Sequence, residues 1–128
     1  MNQPRHDREK VGKAILDAAF RIHTQLGPGL LESAYEACLV YELEKLGFKV
    51  DRQLPVSLIY GEVKLDTAFR IDVMVEDLVI IEVKTVESLA PVHEAQLLTY
   101  MRLSGVSLGY ILNFYVSRMK DGIKRMIL

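Results

Sequence analysis

The stretch VIIEVKTV, residues 79–86, decides the fold, because it has the composition of a buried β-strand and yet carries two charges. Its apolar residues are mostly of the β-branched type that strands favour. Side chains alternate between the two faces of a strand, so Glu82 and Lys84 point to one face and Val83 points to the other. A buried charge is costly unless it is paired or bound to a metal ion, so this face needs a specific reason to be charged.

The preceding strand carries a third ionisable side chain, Asp72, in the segment RIDVMV. Two carboxylates on adjacent strands raise each other's pKa unless a cation lies between them. Mg²⁺ or Mn²⁺ suits this position, since such a hard ion accepts one or two carboxylates and keeps several water molecules. Lys84 could then orient or deprotonate an attacking water, or stabilise charge that builds up on a phosphate. The three residues outline a hydrolytic phosphodiester site; the alternative is an ion pair of Lys84 with Asp72 or Glu82 that holds the sheet in register.

The metal hypothesis sets a condition on the hairpin that joins these strands. We predict antiparallel strands over 65–75 and 78–86, with a short turn between them. A two-residue turn would place Asp72 opposite Ile81, and Glu82 would then lie on the wrong face. The metal site therefore requires an odd-length loop, a bulge or a bent strand start at Asp72.

Outward from this hairpin, the spacing of the apolar residues predicts three helices and three more strands. The helices cover 8–26, about 30–46 and 91–104, and the strands cover 48–60, 107–116 and 123–128. Pro55 predicts a bend or an edge position for the first of these strands. The order α-α-β-β-β-α-β-β predicts an α/β fold, a mixed sheet flanked by helices, as one domain over residues 1–128.

The predicted helix over 91–104 contains the segment HEAQLLTY. His93, Gln96 and Tyr100 are three and four residues apart, so they line one face of the helix. A glutamine and a tyrosine on that face could orient a phosphate or a water next to a metal ion. The alternative is structural, with Gln96 exposed, Tyr100 half-buried and His93 at the helix start.

The segment GPGLLESAYE places Glu32, Tyr35 and Glu36 within about one turn of the second helix. Acids near a helix N-terminus interact favourably with the helix dipole, which is the structural alternative for Glu32. Packing in the core is the corresponding alternative for Tyr35.

The charge balance gives little sign of a nucleic-acid binder, because the formal net charge of the 128 residues is −1. Such binders are more often strongly basic. A local basic edge is expected near the C-terminal end, where Asp121 is accompanied by Arg118, Lys120, Lys124 and Arg125.

The cysteine count and the absence of long apolar stretches bear on the compartment. Cys38 is the single cysteine, which excludes an intramolecular disulfide and a cysteine-rich zinc or iron–sulfur site. No signal peptide or membrane span is recognisable. We therefore expect a soluble cytoplasmic protein.

The segment GLLESAY, with Gly29, Glu32 and Tyr35, resembles the signature of the bacterial and archaeal GxxExxY proteins. The resemblance continues through FRIDVMVED, IIEVKTVESLAPVHEAQLLTYMRLSG and LGYILNF, and it covers residues from about 10 to 127. That family is placed in the PD-(D/E)XK nuclease superfamily, which has the restriction-endonuclease-like α/β fold. The resemblance therefore implies this fold and a nuclease-type active site.

What the resemblance implies for the site is a set of six catalytic residues: Glu32, Asp72, Glu82, Lys84, Gln96 and Tyr100. Asp72 and the pair Glu82 and Lys84 would form the two halves of the superfamily motif. Gln96 and Tyr100 would match the QxxxY element of the RecB-like and Cas4-like branch. Ile71 stands where the motif often has proline, and the cysteines of a Cas4-like iron–sulfur cluster are absent.

The metal ligands follow from the same assignment. Asp72 and Glu82 would bind Mg²⁺ or Mn²⁺ directly, and the backbone carbonyl of Val83 would add an oxygen ligand. Glu32 would assist through the metal or its waters. We expect a metal-dependent nuclease, with DNA favoured over RNA as the substrate, no membrane partner, and a homodimer as an open possibility. The alternative is a catalytically silent domain of this fold that binds nucleic acid or a protein partner.

Overall fold

The architecture is a mixed sheet with helices packed on both of its faces. The computed structural model describes residues 7–128. The helices in this range are α1 (Arg8–Leu26), α2 (Glu32–Lys45), α3 (Pro91–Ser104) and a short 3₁₀ helix (Met119–Gly122). The strands are β1 (Val50–Tyr60), β2 (Val63–Val75), β3 (Val79–Lys84), β4 (Leu108–Asn113) and β5 (Ile123–Ile127). The predicted order and the α/β class are confirmed.

The sheet has the order β1-β2-β3-β4-β5, in which only β3 and β4 run parallel. The parallel pair is joined through α3, as a parallel connection requires a crossover. Lys84 pairs with Asn113 at the end of both strands, so β3 and β4 finish at the same edge of the sheet. Both strands are shorter than predicted, because the chain turns away at this edge.

Helices α1 and α2 cover one face of the sheet. Their apolar stripes, which include Ile15, Leu39 and Leu43, pack against Ile81 and Val83 of β3. The α1 helix begins and ends as predicted, because Asp7 accepts a hydrogen bond from the Glu9 amide at 2.7 Å and Gly27 takes a left-handed φ of 70°.

Helix α3 covers the other face. Leu97 and Met101 are buried there against Ile80, Ile111 and neighbouring side chains. Its bounds agree with the prediction, since Pro91 takes the first turn and Gly105 closes the helix with a left-handed φ of 68°.

Strand β1 is the edge strand that Pro55 predicted, and with β2 it forms a long hairpin. β2 pairs with β1 along most of its length, but with β3 only over Val73–Val75. Beyond the pair of Val73 and Ile81, the backbone ladder between β2 and β3 stops.

The turn between β2 and β3 is longer than predicted. Val75 pairs with Val79, so the loop has three residues, and the Leu78 amide donates to the Val75 carbonyl at 2.9 Å. Glu76 and Asp77 both take left-handed φ values, 55° and 56°. The metal hypothesis required a loop of odd length, and this condition is met. The register that pairs Val73 with Ile81, extended by one residue pair, places Asp72 opposite Glu82.

Candidate active site

The two acids of the motif lie side by side where β2 and β3 separate. The Asp72 amide donates to Glu82 Oε2 at 3.0 Å, and the Val83 amide donates to Asp72 Oδ2 at 2.9 Å. Each carboxylate therefore binds a backbone amide of the opposite strand. The regular ladder stops at the pair Val73 and Ile81, and these two side-chain bonds continue it.

Burial makes this pair of acids electrostatically unusual. Glu82 is 6% exposed, and burial, followed by the nearby charge of Asp72, raises the pKa of Glu82 to about 8. Burial also raises the pKa of Asp72, against the opposing effect of the hydrogen bond from the Val83 amide. The site is thus short of positive charge, which is the condition under which a cation binds carboxylates well.

Lys84 lies on the same face as Glu82 and Ile80, the face that packs against α3. Its charge lowers the pKa of both Asp72 and Glu82, yet within residues 7–128 its ammonium has no carboxylate oxygen within 4.0 Å. The structural alternative required such an ion pair. Lys84 is half-buried and available to a ligand of the site.

Glu36 and Gln53 belong to this site, although the sequence analysis assigned them no role. Glu36 is 5% exposed, and it accepts hydrogen bonds from Arg52 Nε at 2.7 Å and from Gln53 Nε2 at 3.0 Å. The same Gln53 nitrogen donates to Asp72 Oδ1 at 3.2 Å. Gln53 thus links a buried acid of α2 to the carboxylate of Asp72.

The backbone of Gln53 has a left-handed φ of 51° within β1, which is rare for a residue other than glycine. Such a conformation persists only where surrounding contacts hold it, and it is often found at functional sites. One signal could have identified Glu36 in the sequence, since it follows Glu32 by four residues and so shares its helix face. No local pattern predicted the left-handed position of Gln53.

Glu32 lies at the start of α2, and its Oε1 accepts a hydrogen bond from the Thr85 amide at 3.3 Å. This contact brings Glu32 to the residue that follows Lys84. In the part of the chain that the structure describes, no three His, Cys, Asp or Glu side chains are arranged to hold one metal ion. Asp72 and Glu82 therefore stand as a pair, and Glu32 lies beside them.

On α3, Gln96 is exposed and Tyr100 is half-buried, in agreement with the structural reading of the helix. The Tyr100 ring stacks on Phe69, with ring centroids 4.4 Å apart. Burial and the charges of the two acids raise the pKa of Tyr100, so its hydroxyl lies within electrostatic reach of the site. His93 has the predicted helix-start position, where its Nδ1 accepts from the Ala90 amide at 3.0 Å.

Tyr35 organises the loop between α1 and α2. Its buried ring stacks on Phe114 with centroids 4.3 Å apart, its hydroxyl donates to the Gly27 carbonyl, and it accepts from the Leu30 amide at 3.1 Å. These bonds keep Leu30 in the loop, so α2 begins at Glu32 rather than near residue 30 as predicted. Core packing, the alternative considered for Tyr35, is confirmed.

We expect Tyr35→Phe to lower the free energy of unfolding by about 0.5 to 1.5 kcal/mol, because the Leu30 amide and the Gly27 carbonyl lose their hydrogen-bond partner. Urea denaturation measures the change. Tyr41→Phe is the matched control, since the Tyr41 side chain is 61% exposed, and it should leave the stability unchanged. Equal stability of the Tyr35 variant and the wild type would contradict the role of the hydroxyl.

The donor set fits a divalent metal ion. The site offers two carboxylates with raised pKa values, and Glu82 Oε1 has no hydrogen-bond partner within residues 7–128. Mg²⁺ and Mn²⁺ typically take one or two carboxylates and complete their shell with water and substrate oxygens. The adjacent lysine adds a positive charge for a phosphate.

A mixed α/β sheet that gathers two acids and a lysine on adjacent strands is the arrangement that the sequence analysis expected of a nuclease-type protein. The chain belongs to the PD-(D/E)XK nuclease superfamily, whose family model matches residues 9–126. No curated protein and no solved structure matches the chain. Membership establishes the restriction-endonuclease-like fold, and nucleases of this superfamily generally use divalent metals. Within residues 7–128, no helix combines the length and apolarity needed to cross a membrane.

Proposed function

We propose that this protein is a divalent-metal-dependent nuclease that hydrolyses phosphodiester bonds in nucleic acid. The observation that carries the proposal is the pairing of Asp72 with Glu82 across the separated strands, with Lys84 on the same face and free of an ion pair within the described residues. The membership of a nuclease superfamily supports it. The finer GxxExxY assignment remains a prediction.

Asp72 and Glu82 would hold Mg²⁺ or Mn²⁺, with the backbone carbonyl of Val83 as a further oxygen ligand. The Val83 side chain is buried in the core, so only its backbone is available. A divalent cation bound here would act as a Lewis acid toward the scissile phosphate. Glu32 would hold a water molecule beside the pair, in keeping with its position at the Thr85 amide.

Lys84 would orient or activate the attacking water and stabilise negative charge on the phosphate. In the reaction the water would lose a proton as its oxygen bonds to phosphorus, and the bond from phosphorus to the leaving oxygen would break as that oxygen takes up a proton. A fixed ammonium is most useful where charge develops in the transition state. Its half-buried position restricts competing solvent and strengthens that interaction.

Four other side chains would support these groups. Gln53 positions the Asp72 carboxylate through its amide, and Glu36 holds Gln53 in place. Tyr100 and Gln96 would contact the substrate or a water from α3. Tyr100 is held by its stack on Phe69, whereas Gln96 is exposed and free to reach a ligand.

The test is cleavage of single- and double-stranded DNA and RNA in Mg²⁺ or Mn²⁺, with a chelator control and Asp72→Asn in parallel. DNA is the favoured substrate. Cleavage that disappears with the chelator and with the variant supports the proposal. Absence of cleavage by the wild type, on every substrate and with either metal, would favour a catalytically silent binding domain. Sedimentation of the same preparation tests whether the protein forms a homodimer.

We expect Asp72→Asn to weaken Mn²⁺ binding at least tenfold, because an amide is a poorer ligand for a hard cation than a carboxylate. Isothermal calorimetry measures the change. Asp66→Asn is the matched control, since Asp66 is an exposed acid on the same strand, and it should bind Mn²⁺ like the wild type. Unchanged Mn²⁺ affinity of Asp72→Asn would argue against Asp72 as a ligand.

A further inference from the structure

We propose that a groove beside the catalytic edge binds one unpaired strand of the nucleic-acid substrate. The inference rests on the proposed function, and it adds the substrate class, a single strand rather than a duplex. The groove lies between the C-terminal end of α1 and the segment that follows β4. It has a volume of about 580 Å³, and residues that line it include Phe20, Thr24, Pro28, Ser117, Arg118 and Lys120.

A second hollow continues this groove. Its volume is about 310 Å³, and Tyr115 lines it together with Pro28 and Ser117, which border both spaces. The two hollows therefore adjoin at Pro28 and Ser117, and together they form the proposed path; Phe20 and Lys120 line the first hollow and Tyr115 lines the second.

The Tyr115 end of this path adjoins the catalytic edge of the sheet. The Phe114 amide donates to the Lys84 carbonyl at 2.9 Å, and the Tyr115 amide donates to Asn113 Oδ1 at 3.2 Å. The Asn113 side chain also binds the amide and carbonyl of Val86. Asn113, the last residue of β4, pairs with Lys84. Tyr115 follows two residues later, so it leaves the sheet at the level of the proposed catalytic lysine.

The opposite wall is tied to the site as well. Pro28 belongs to the loop that the Tyr35 hydroxyl holds, and Glu32, at the end of that loop, accepts from the Thr85 amide. A strand whose scissile phosphate lies at Lys84 would therefore continue between the Pro28 loop and Tyr115.

The cations of the groove are available to phosphates. Lys120 is exposed and has no ion pair within residues 7–128, and the Arg118 side chain is 68% exposed with one carboxylate, Asp121, at 3.5 Å. The basic edge predicted from the sequence is otherwise neutralised. Lys124 pairs with Glu94 at 3.5 Å, and Arg125 pairs with Glu9 at 2.6 Å.

The exposed rings decide between a single strand and a duplex. Tyr115 is 50% exposed and Phe20 is 41% exposed, and each lines one of the two hollows. Aromatic side chains stack on unpaired bases, and cations beside them contact the backbone, which is the usual mode of single-strand binding. Bases in a duplex are already stacked and paired, so these rings would gain little from it. The hydroxyls of Thr24 and Ser117 add donors for phosphate oxygens.

The test is fluorescence anisotropy with a short labelled single strand, as DNA and as RNA, and with the corresponding duplex, all in chelator so that nothing is cut. We expect tighter binding of the single strand. Tyr115→Ala should weaken single-strand binding roughly 5- to 100-fold through lost stacking. The double variant Arg118→Glu with Lys120→Glu should weaken it and flatten its salt dependence.

Lys10→Glu is the matched control, because this exposed lysine lies ten residues before Phe20 on α1, about 15 Å along the helix. It should bind like the wild type, and thermal melts should show that all variants fold. Wild-type affinity of the groove variants, tighter binding of the duplex, or no binding of any strand would overturn the groove assignment. The binding test does not depend on cleavage. Loss of single-strand binding by the groove variants supports the groove even if the wild-type protein cleaves no substrate.

Discussion

Lys84→Ala is expected to lower the rate of phosphodiester cleavage about 10²- to 10⁴-fold while the fold remains intact. The loss follows from the position of the ammonium, which shares a face with Glu82 and influences the charges of both acids. The fold should tolerate the change, because the lysine makes no ion pair within residues 7–128 and is only half-buried. Single-turnover cleavage at saturating metal measures the effect.

Lys64→Ala serves as the control, since Lys64 is an exposed lysine on β2, paired with Ile59 in the hairpin. This variant should cut like the wild type. Matched thermal melts by circular dichroism should coincide for all three proteins. Cleavage by Lys84→Ala at the wild-type rate would remove Lys84 from the mechanism and leave the two acids alone.

Raising the pH from about 5 to 7.5 is expected to destabilise the metal-free protein. The pKa of Glu82 rises to about 8 in the folded state, above its ordinary value of 4.5, because burial and Asp72 disfavour its charge. Between these values the folded state binds more protons than the unfolded state, so the free energy of unfolding falls as the pH rises. The raised pKa of Asp72 acts in the same direction. The contribution of Glu82 is roughly 2 to 4 kcal/mol by neutral pH.

Urea denaturation in chelator at both pH values measures this loss. Glu82→Gln should remove most of it and should be more stable than the wild type at pH 7.5, because a glutamine neither takes up a proton on folding nor buries a charge. Glu87→Gln, at an exposed acid in the loop after β3, is the control and should behave like the wild type. Added Mn²⁺ should restore stability at high pH, since a bound cation favours the ionised acids. Stability that is equal at the two pH values in chelator would contradict the raised pKa of Glu82.

The helices show how far local sequence carries the fold. The predicted bounds of α1 and α3 agree with the structure, because apolar periodicity, Pro91, Gly27 and Gly105 are signals written in adjacent residues. The start of α2 differed, since the Tyr35 hydroxyl holds Leu30 in the loop. That contact depends on where the core places the ring of Tyr35, so no local rule contains it.

The motif residues themselves were also readable from the sequence. Glu82 and Lys84 share a strand face at any register, and Asp72 stands out as a charge in an apolar strand. Whether the two acids meet depends on one residue of loop length. The left-handed Glu76 and Asp77, followed by Leu78, make the loop odd and so bring Asp72 opposite Glu82.

The sequence by itself determined the order of elements, their approximate bounds and the spacing of the motif, because these follow from propensity and periodicity over a few neighbouring residues. Only the tertiary structure decided which side chains meet. Glu36, Gln53 and Asp72 come from one helix and two strands, and Glu32 of α2 reaches the Thr85 amide after β3. Contacts between such distant residues depend on strand register and on helix packing, which no local pattern records.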